Sequence, residues 1–207
     1  NDIYISTNGD DIIGNGTESN PFASLTHALS VAISNNEVPL TIFIVEGYYN
    51  NNEDFPISLI DNIKIKGSGA ESTIIDGNRQ SRIFNLNNLN NVIIEDISIK
   101  DGKVQSSCDA SESFTAIGGA IKIEDSSNIT FKNTAVYDNS LVGGFFTEQH
   151  DTGYESTTYW DARGGAIYIS ASDVHIINCS IIDNNIKNNS PYYETYFGSG
   201  IYISSGS

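Results

Sequence analysis

One segment of this sequence returns along the chain, and that repeat limits the folds that the chain can adopt. The clearest copy, residues 118–139, reads GGAIKIEDSSNITFKNTAVYDN. Related copies run from Ile83 to Gly102 and from Gly164 to Asn184, and a fragment, GSGIYI, spans Gly198 to Ile203. A chain that repeats at this scale folds as a stack of similar units, each of which buries its apolar face against its neighbours.

Apolar and polar residues alternate within each copy, which indicates short β-strands with one buried face. Aligning the copies on Asn91, Asn128 and Asp173 places apolar side chains in shared columns. The inward columns are Val92, Ile129 and Val174; Ile94, Phe131 and Ile176; Ile97, Thr134 and Cys179; and Ile99, Val136 and Ile181. Each copy has room for three strands of about four residues. The sequence therefore predicts an all-β fold, a right-handed parallel β-helix with three short strands per coil.

Polar columns separate these strands and predict the turns of the coil. They are Asp96, Asn133 and Asn178; Asp101, Asp138 and Asp183; and Gly102, Asn139 and Asn184. Asn and Asp tolerate left-handed backbone bends and hydrogen-bond nearby backbone groups. Stacked from coil to coil, their side chains can also bond their copies above and below. We therefore interpret these residues as scaffold rather than as catalytic carboxylates.

The repeats are unevenly spaced because insertions separate them. Asn91 and Asn128 are 37 residues apart, whereas Asn128 and Asp173 are 45 residues apart. The insertions are Lys103–Ile117, Leu141–Arg163 and Asn185–Phe197, and each follows the same Asp-Gly or Asp-Asn step. Insertions at one point of a solenoid repeat emerge on one face, which is often the binding face. We expect the last two to leave consecutive coils at the same angular position and to meet.

The organisation of the chain predicts a single β-helix domain over residues 1–207, with an N-terminal strand and capping helix in residues 1–40. Asn20 is the predicted N-cap and Pro21 the first helical residue. The apolar stripe of this helix is Phe22, Leu25, Leu29, Ala32 and Ile33. About five coils follow over residues 41–207, the last incomplete, and we expect the chain to be the N-terminal part of a longer surface protein.

A net charge of −16 limits the partners of this chain. Only ten Lys and Arg residues are present, so the chain lacks the clustered cations that nucleic acid or an anionic membrane would require. Apolar runs also fall short of a membrane span, which predicts no direct membrane insertion. The sequence predicts no cofactor, although its acidic composition is compatible with Ca²⁺ binding. Asp10 and Asp11 are one candidate site for a cation, but a solvated turn is the simpler interpretation of this pair.

Several motifs carry a resemblance to a known family. The N-terminal pattern IYIS, NPF, TIFIVEGYY and IIDGN resembles the cap and first coils of right-handed parallel β-helices of the pectin-lyase-like superfamily. The GGAI sequences at Gly118–Ile121 and Gly164–Ile167 resemble the GGA[ILV] repeats of polymorphic outer-membrane proteins and adhesin-like surface proteins. Those families add FxxN, for which this chain has Val136-Tyr-Asp-Asn139 and Ile181-Ile-Asp-Asn184. The resemblance implies an extracellular protein, secreted or at the cell surface, with roles in adhesion and virulence.

The insertions make up about a quarter of the chain but hold nearly half of its aromatic residues. Aromatic side chains give a large contact area and stack on sugar rings, so this enrichment predicts a recognition surface. The predicted ligand-binding residues are Phe145, Phe146, Tyr154, Tyr159, Trp160, Asp161, Tyr192, Tyr193, Glu194 and Tyr196. Their partner would be a glycan or a host or partner surface protein. The alternative is that the aromatic residues fold the loops onto the solenoid as small cores.

An enzyme is the main alternative to a binding module, because many β-helix relatives are polysaccharide lyases or glycoside hydrolases. Candidate acid and base groups lie in or beside the insertions: Lys103, Arg163 and Lys187, with Glu148, Asp151, Glu155 and Asp161. These residues do not form the compact motifs of the polygalacturonase relatives, so no catalytic residue is assigned. A spacer stalk without a ligand is the third interpretation.

Overall fold

The computed structural model describes residues 2–35, 39–105, 116–143, 145–149, 155–159, 162–188 and 196–205. Within these residues the structure contains one helix, α1, which spans Leu25–Asn35. The strands in chain order are β1 Asp2–Ile5, β2 Leu40–Ile44, β3 Gly47–Tyr49, β4 Ile57–Ser58, β5 Ile63–Gly67, β6 Thr73–Asp76, β7 Phe84–Asn87, β8 Asn90–Glu95, β9 Ser98–Lys100, β10 Lys103–Gln105, β11 Ala116–Ile117, β12 Ile121–Glu124, β13 Ser127–Lys132, β14 Ala135–Tyr137, β15 Ser140–Gly143, β16 Phe145–Gln149, β17 Glu155–Tyr159, β18 Ala162–Arg163, β19 Ile167–Ser170, β20 Val174–Ile177, β21 Ser180–Ile182, β22 Asn185–Asn188, β23 Tyr196–Phe197 and β24 Ile201–Ser204.

In the described part of the chain, five parallel sheets run along the solenoid. Three are long: sheet I has the order β1-β2-β5-β8-β13-β20, sheet II β24-β19-β12-β7-β4, and sheet III β21-β14-β9-β6-β3. Two are short: sheet IV is β10-β15-β22 and sheet V is β11-β18-β23. Each repeat passes through sheets II, I, III and IV and returns through sheet V. The predicted parallel β-helix with three main strands per coil is confirmed, and sheets IV and V are an addition that the repeat pattern did not predict.

The core is a stack of aliphatic and aromatic columns inside the three long sheets. Strand pairing aligns Ile65, Ile94 and Phe131, and their side chains are at most 1% exposed. Val92, Ile97 and Ile99 are fully buried, as predicted. The last repeat differs, because Val174, Ile176, Cys179 and Ile181 are only half-buried. Their strands, β20 and β21, lie at the ends of their sheets in the described part of the chain, so no coil packs over them.

Left-handed turn residues connect the strands and bond to one another along the axis. Asp96, Asn133 and Asn178 have φ of 59°, 49° and 52°. Asn133 Nδ2 donates to Asp96 Oδ1 at 2.9 Å, and Asn178 Nδ2 donates to Asn133 Oδ1 at 2.8 Å. The predicted side-chain ladder is therefore confirmed.

A second ladder is buried at the turn from sheet III to sheet IV. Asn139 is fully buried, and its Oδ1 accepts from Gly102 N at 2.7 Å. Its Nδ2 donates to Asn184 Oδ1 at 3.0 Å and to the carbonyl of Tyr137 at 2.9 Å. Gly102 stands in this column because a Cβ there would lie 2.6 Å from the Gly119 carbonyl oxygen.

The N-terminal cap differs from its prediction at the start of the helix. Ser24, not Asn20, is the N-cap, since His27 N donates to Ser24 Oγ at 3.1 Å. Pro21 and Phe22 precede the helix, and Phe22 forms a parallel bridge to Ile5 that extends the edge of sheet I. The buried face is Leu25, Ala28, Leu29 and Ala32, whereas Ile33 is 60% exposed. These four residues join the main core, so α1 covers the first coil.

Two carboxylates complete this cap. Asp11 Oδ1 accepts from Ala23 N at 2.7 Å, and Glu53 Oε1 accepts from Leu25 N at 2.7 Å. Burial raises the pKa of Glu53, although the helix amide donors favour its charged form. Asp10 bonds the amides of Ile12 and Ile13. Both residues of the Asp10-Asp11 pair therefore serve local turn and cap hydrogen bonds.

In sheet III, replacing an inward isoleucine should destabilise the protein much more than replacing an outward one. We expect Ile99→Ala to lower the free energy of unfolding by about 2–5 kcal/mol, because the side chain is fully buried. Ile182→Ala is the matched control and should change it by less than about 0.5 kcal/mol, because Ile182 is 54% exposed. Denaturant unfolding followed by circular dichroism measures both. Equal losses would contradict the assignment of the inward column.

Candidate functional site

The insertions leave the solenoid between sheets IV and V. The chain enters the longest insertion through β15, forms the antiparallel β16–β17 hairpin, and returns through β18. In the next repeat, β22 pairs with β15 and β23 pairs with β18. The bases of the two insertions are thus adjacent hydrogen-bonded strands, which confirms the prediction that they leave consecutive coils at one position. Their first and last residues belong to the coil, so the excursions themselves are shorter than predicted.

A small apolar cluster fills the space between sheets IV and V. Leu141 is fully buried there, Ala116 and Ala162 are almost fully buried, and Val104 and Ile186 pack against them. Among the described residues, every member of this cluster is aliphatic. The described part of the insertion bases therefore packs through aliphatic side chains.

The predicted site residues fall partly on the described strands. Phe145 pairs with Tyr159, and Phe146 pairs with Thr158. Three predicted site residues, Phe145, Phe146 and Tyr159, therefore belong to one hairpin. Tyr196 pairs with Ala162 at the base of sheet V. Tyr154, Trp160, Asp161, Tyr192, Tyr193 and Glu194 lie outside the described residues. Of the candidate acid and base residues, Glu148 and Glu155 lie on the hairpin, and Asp151 is outside the described residues.

Three clefts form an axial groove along the edge of sheet III, where its strands turn towards sheet IV. The first, of about 180 Å³, is lined by Tyr48, Glu53 and the Asn50–Asn52 run. The second, of about 490 Å³, shares Asn50, Asn51 and Glu53 and adds Asn78, Gln80 and Ser81. The third, of about 300 Å³, is lined by Arg79, Lys103, Asp138, Asp183 and Lys187 among others. Amide, hydroxyl and charged groups therefore follow one another along the solenoid.

Charges in this groove are partly paired. The Asp101 carboxylate bonds Lys100 Nζ at 2.9 Å and Arg79 Nε at 2.8 Å. Burial opposes the ionisation of Asp101, but these two cations lower its pKa overall. Asp138 and Asp183 occupy the same column in the next two repeats, and in the described part of the chain neither forms an ion pair with Lys103 or Lys187. The structure thus brings together Lys103 and Lys187, while Arg163 lies across the insertion base in sheet V.

Sequence reasoning missed two aromatic arrangements on the outer faces of the long sheets. Lys100 Nζ lies 5.7 Å from the ring centre of Tyr48 and 5.8 Å from that of Tyr137, on sheet III. On sheet II, Tyr168 stacks on Tyr202 with ring centres 5.7 Å apart. The repeated IYIS sequence could have signalled the second pair, because it places both tyrosines in one column.

Metal and membrane candidates receive no support from the described residues. Within these ranges, no group of three or more His, Cys, Asp and Glu side chains is arranged to hold a metal ion. No helix in the same part of the chain is long and apolar enough to span a membrane.

Comparisons with known proteins identify a family. The sequence model of the family described as "Protein of unknown function (DUF1565)" matches residues 7–205. No curated protein matches the chain. Among solved structures, the chain is similar to a rhamnogalacturonan lyase, with a TM-score of 0.49 and 17% identity, over 97% of this chain and 62% of that chain. It is also similar to the pectin methylesterase PemA from Erwinia chrysanthemi, with a TM-score of 0.41 and 15% identity, over 83% of this chain and 54% of that chain. The chain spans less than two thirds of each, and likenesses at this level carry no inference about activity.

The aliphatic cluster predicts that the insertion base can be loosened without unfolding the solenoid. We expect Leu141→Ala to speed amide hydrogen exchange in β15 and β22, because Leu141 is the largest fully buried member of that cluster. Ile129→Ala is the control, because Ile129 is fully buried in the main core and should lower global stability instead. Exchange measured by mass spectrometry distinguishes the two. If amide exchange becomes equally faster along the whole chain in both variants, the insertion base does not pack as a separate unit.

Proposed function

The chain belongs to the DUF1565 family, whose description assigns no function, and we propose that this member is an extracellular binding module of the adhesin type. The insertions recognise a neutral glycan or a partner surface protein. The β-helix displays them and takes no part in chemistry. The pectin-lyase-like and outer-membrane-protein resemblance of the motifs motivated this assignment.

One observation carries the proposal: two insertions start and end on strands that are hydrogen-bonded neighbours. β15 with β22 and β18 with β23 fix both ends of both insertions at one angular position. A solenoid that only separates two other domains does not need insertions of this length in register. Both insertions are thereby anchored on adjacent strands, and we propose that Trp160 of one and Tyr193 of the other contribute to one recognition surface.

The composition of the insertions supports contact with a partner. Their bases pack through Leu141, Ala116, Ala162, Val104 and Ile186. The same insertions are rich in aromatic residues, a residue type that is enriched at recognition surfaces. The same insertions also carry the acidic residues Asp161 and Glu194, and this negative charge favours neutral sugars or a basic protein surface over polyuronates.

Substitution of the insertion aromatics tests the proposal after a screen of glycan arrays and cell-surface proteins has identified a ligand. We expect Trp160→Ala and Tyr193→Ala each to weaken binding by about fivefold or more, near 1 kcal/mol, with unchanged thermal stability. Tyr4→Ala is the matched control, because Tyr4 lies on sheet I and stacks on Phe43 away from the insertions. Loss of stability without loss of affinity would assign these aromatics to loop packing and reject the binding site.

A polysaccharide lyase or glycoside hydrolase is the second candidate, and the third cleft of the axial groove favours it. Lys103 and Lys187 share this cleft with Asp138 and Asp183, which gives a base and an acid side by side. The assays are ultraviolet absorbance for unsaturated uronate products and reducing-end release for hydrolysis, on anionic and neutral polysaccharides. Activity that Asp138→Asn and Asp183→Asn abolish would replace the binding module with an enzyme. Asn suits both positions because their φ values are 56° and 53°.

A further inference from the structure

We propose that Tyr48, Lys100 and Tyr137 form a second recognition surface, a platform on the outer face of sheet III that binds a neutral glycan lying along the solenoid axis. This platform needs no insertion residue, so the inference goes beyond the proposed function and can stand or fail without it. Three different coils supply the three side chains, through β3, β9 and β14.

The geometry of the platform places one cation between two rings. Sheet III has the order β14-β9-β6-β3 in this region, so Lys100 on β9 lies between Tyr48 and Tyr137 along the axis. Its amino group is within 6 Å of both ring centres, at 5.7 and 5.8 Å, the range of cation–π attraction. The Lys100 side chain is only 18% exposed and is also fixed by Asp101. The rings are thus positioned before any ligand arrives.

The two tyrosines do not serve the main core. The inward column of sheet III is Tyr49, Ile75, Ile99, Val136 and Ile181, and each platform residue is next to one of these and points to the opposite side. Tyr48 remains 48% exposed, and Ile182, which follows Tyr137 in its column, is 54% exposed. The outer face of sheet III therefore presents exposed apolar side chains to solvent on separate coils, Tyr48 at one end and Ile182 at the other.

Charge balance indicates which ligand suits this face. The Lys100 cation is neutralised by Asp101, whose other oxygen bonds Arg79. A polyuronate would meet the exposed carboxylate of Asp138, and a polycation would meet the exposed guanidinium of Arg79. A ligand of little net charge avoids both repulsions.

The surroundings of the platform favour a sugar over an apolar peptide. Tyr48 also lines the first cleft of the axial groove, beside the amides of Asn50–Asn52. Arg79, Asp138 and Lys103 line the third cleft, so donors and acceptors follow the platform along its edge. A hexose has an apolar ring face that stacks on an aromatic side chain and hydroxyl groups at its rim that both donate and accept. Sheet strands recur about every 4.8 Å, which is comparable to one sugar unit of an extended chain.

The test uses the full chain and a variant in which a short Gly-Ser linker replaces residues 144–161. Affinity electrophoresis in gels containing xyloglucan, galactomannan or hydroxyethylcellulose detects binding, with polygalacturonate as the anionic probe, and calorimetry with matching oligosaccharides gives affinities. We expect at least one neutral probe to bind both proteins. Tyr48→Ala and Tyr137→Ala should each weaken that binding about fivefold or more, and the double variant should lose it. Lys100→Met should also weaken it, because the rings lose their shared cation.

Controls separate this proposal from the insertion site. Tyr4→Ala removes a tyrosine of another sheet and should leave affinity unchanged. Binding that disappears with residues 144–161 but survives Tyr48→Ala and Tyr137→Ala would overturn the platform while leaving the insertion module intact. Absence of binding to all three neutral polysaccharides, or tighter binding to polygalacturonate, would also overturn it. If the full chain and the variant without residues 144–161 bind every ligand equally well, and Tyr48→Ala and Tyr137→Ala still weaken binding, the proposed function of the insertions is rejected and the platform stands.

Discussion

Coil-to-coil bonding at the turns is the interaction on which the rest of this structure depends. Each strand of a parallel β-helix can pair with its copy only if every turn bends the chain by the same amount, and here left-handed Asn and Asp residues do this repeatedly. Asn139 is the clearest case, because it is fully buried and connects three consecutive repeats through Gly102 and Asn184. A buried amide without these partners would cost about 1–3 kcal/mol, so the ladder fixes the register as well as the bend.

The sequence predicted this scaffold well because the constraint is local and repeats. Columns such as Ile94 and Phe131 alternate with polar residues, and a one-residue slip would turn the whole strand inside out. Sheet IV escaped prediction because each of its strands contributes one inward side chain, Val104, Leu141 or Ile186, which is too short a pattern to indicate a strand. The predicted start of the helix was wrong because Asp11 and Glu53, which are distant in sequence, accept hydrogen bonds from the amides that follow Phe22. Tertiary contacts of this kind override the local preference for an N-cap residue.

The candidate sites were less predictable than the scaffold for a physical reason. The insertions were visible as uneven spacing of the repeats, so repeat alignment alone predicted that two of them leave consecutive coils at one position, although it did not predict the strands β15 and β22 that anchor them. The platform on sheet III was not visible, because Tyr48 and Lys100 occupy different columns and meet only through the length of the lysine side chain. Outward positions of a β-helix can vary without loss of the core, so a contact between different columns, such as Tyr48 with Lys100, leaves no periodic signal.

The distribution of cations connects the scaffold to both surfaces. Lys64 and Lys66 bracket Glu95 on sheet I, and Lys122 pairs with Glu124 on sheet II. In a chain with a net charge of −16, pairs of this kind use several of the ten cations to neutralise carboxylates on the faces of the sheets. Lys100 does the same for Asp101 but also faces two rings. The charge of Lys100 in the platform is therefore balanced, although the molecule as a whole is acidic. The same ion pair that neutralises Asp101 in the scaffold thus also favours a ligand of little net charge.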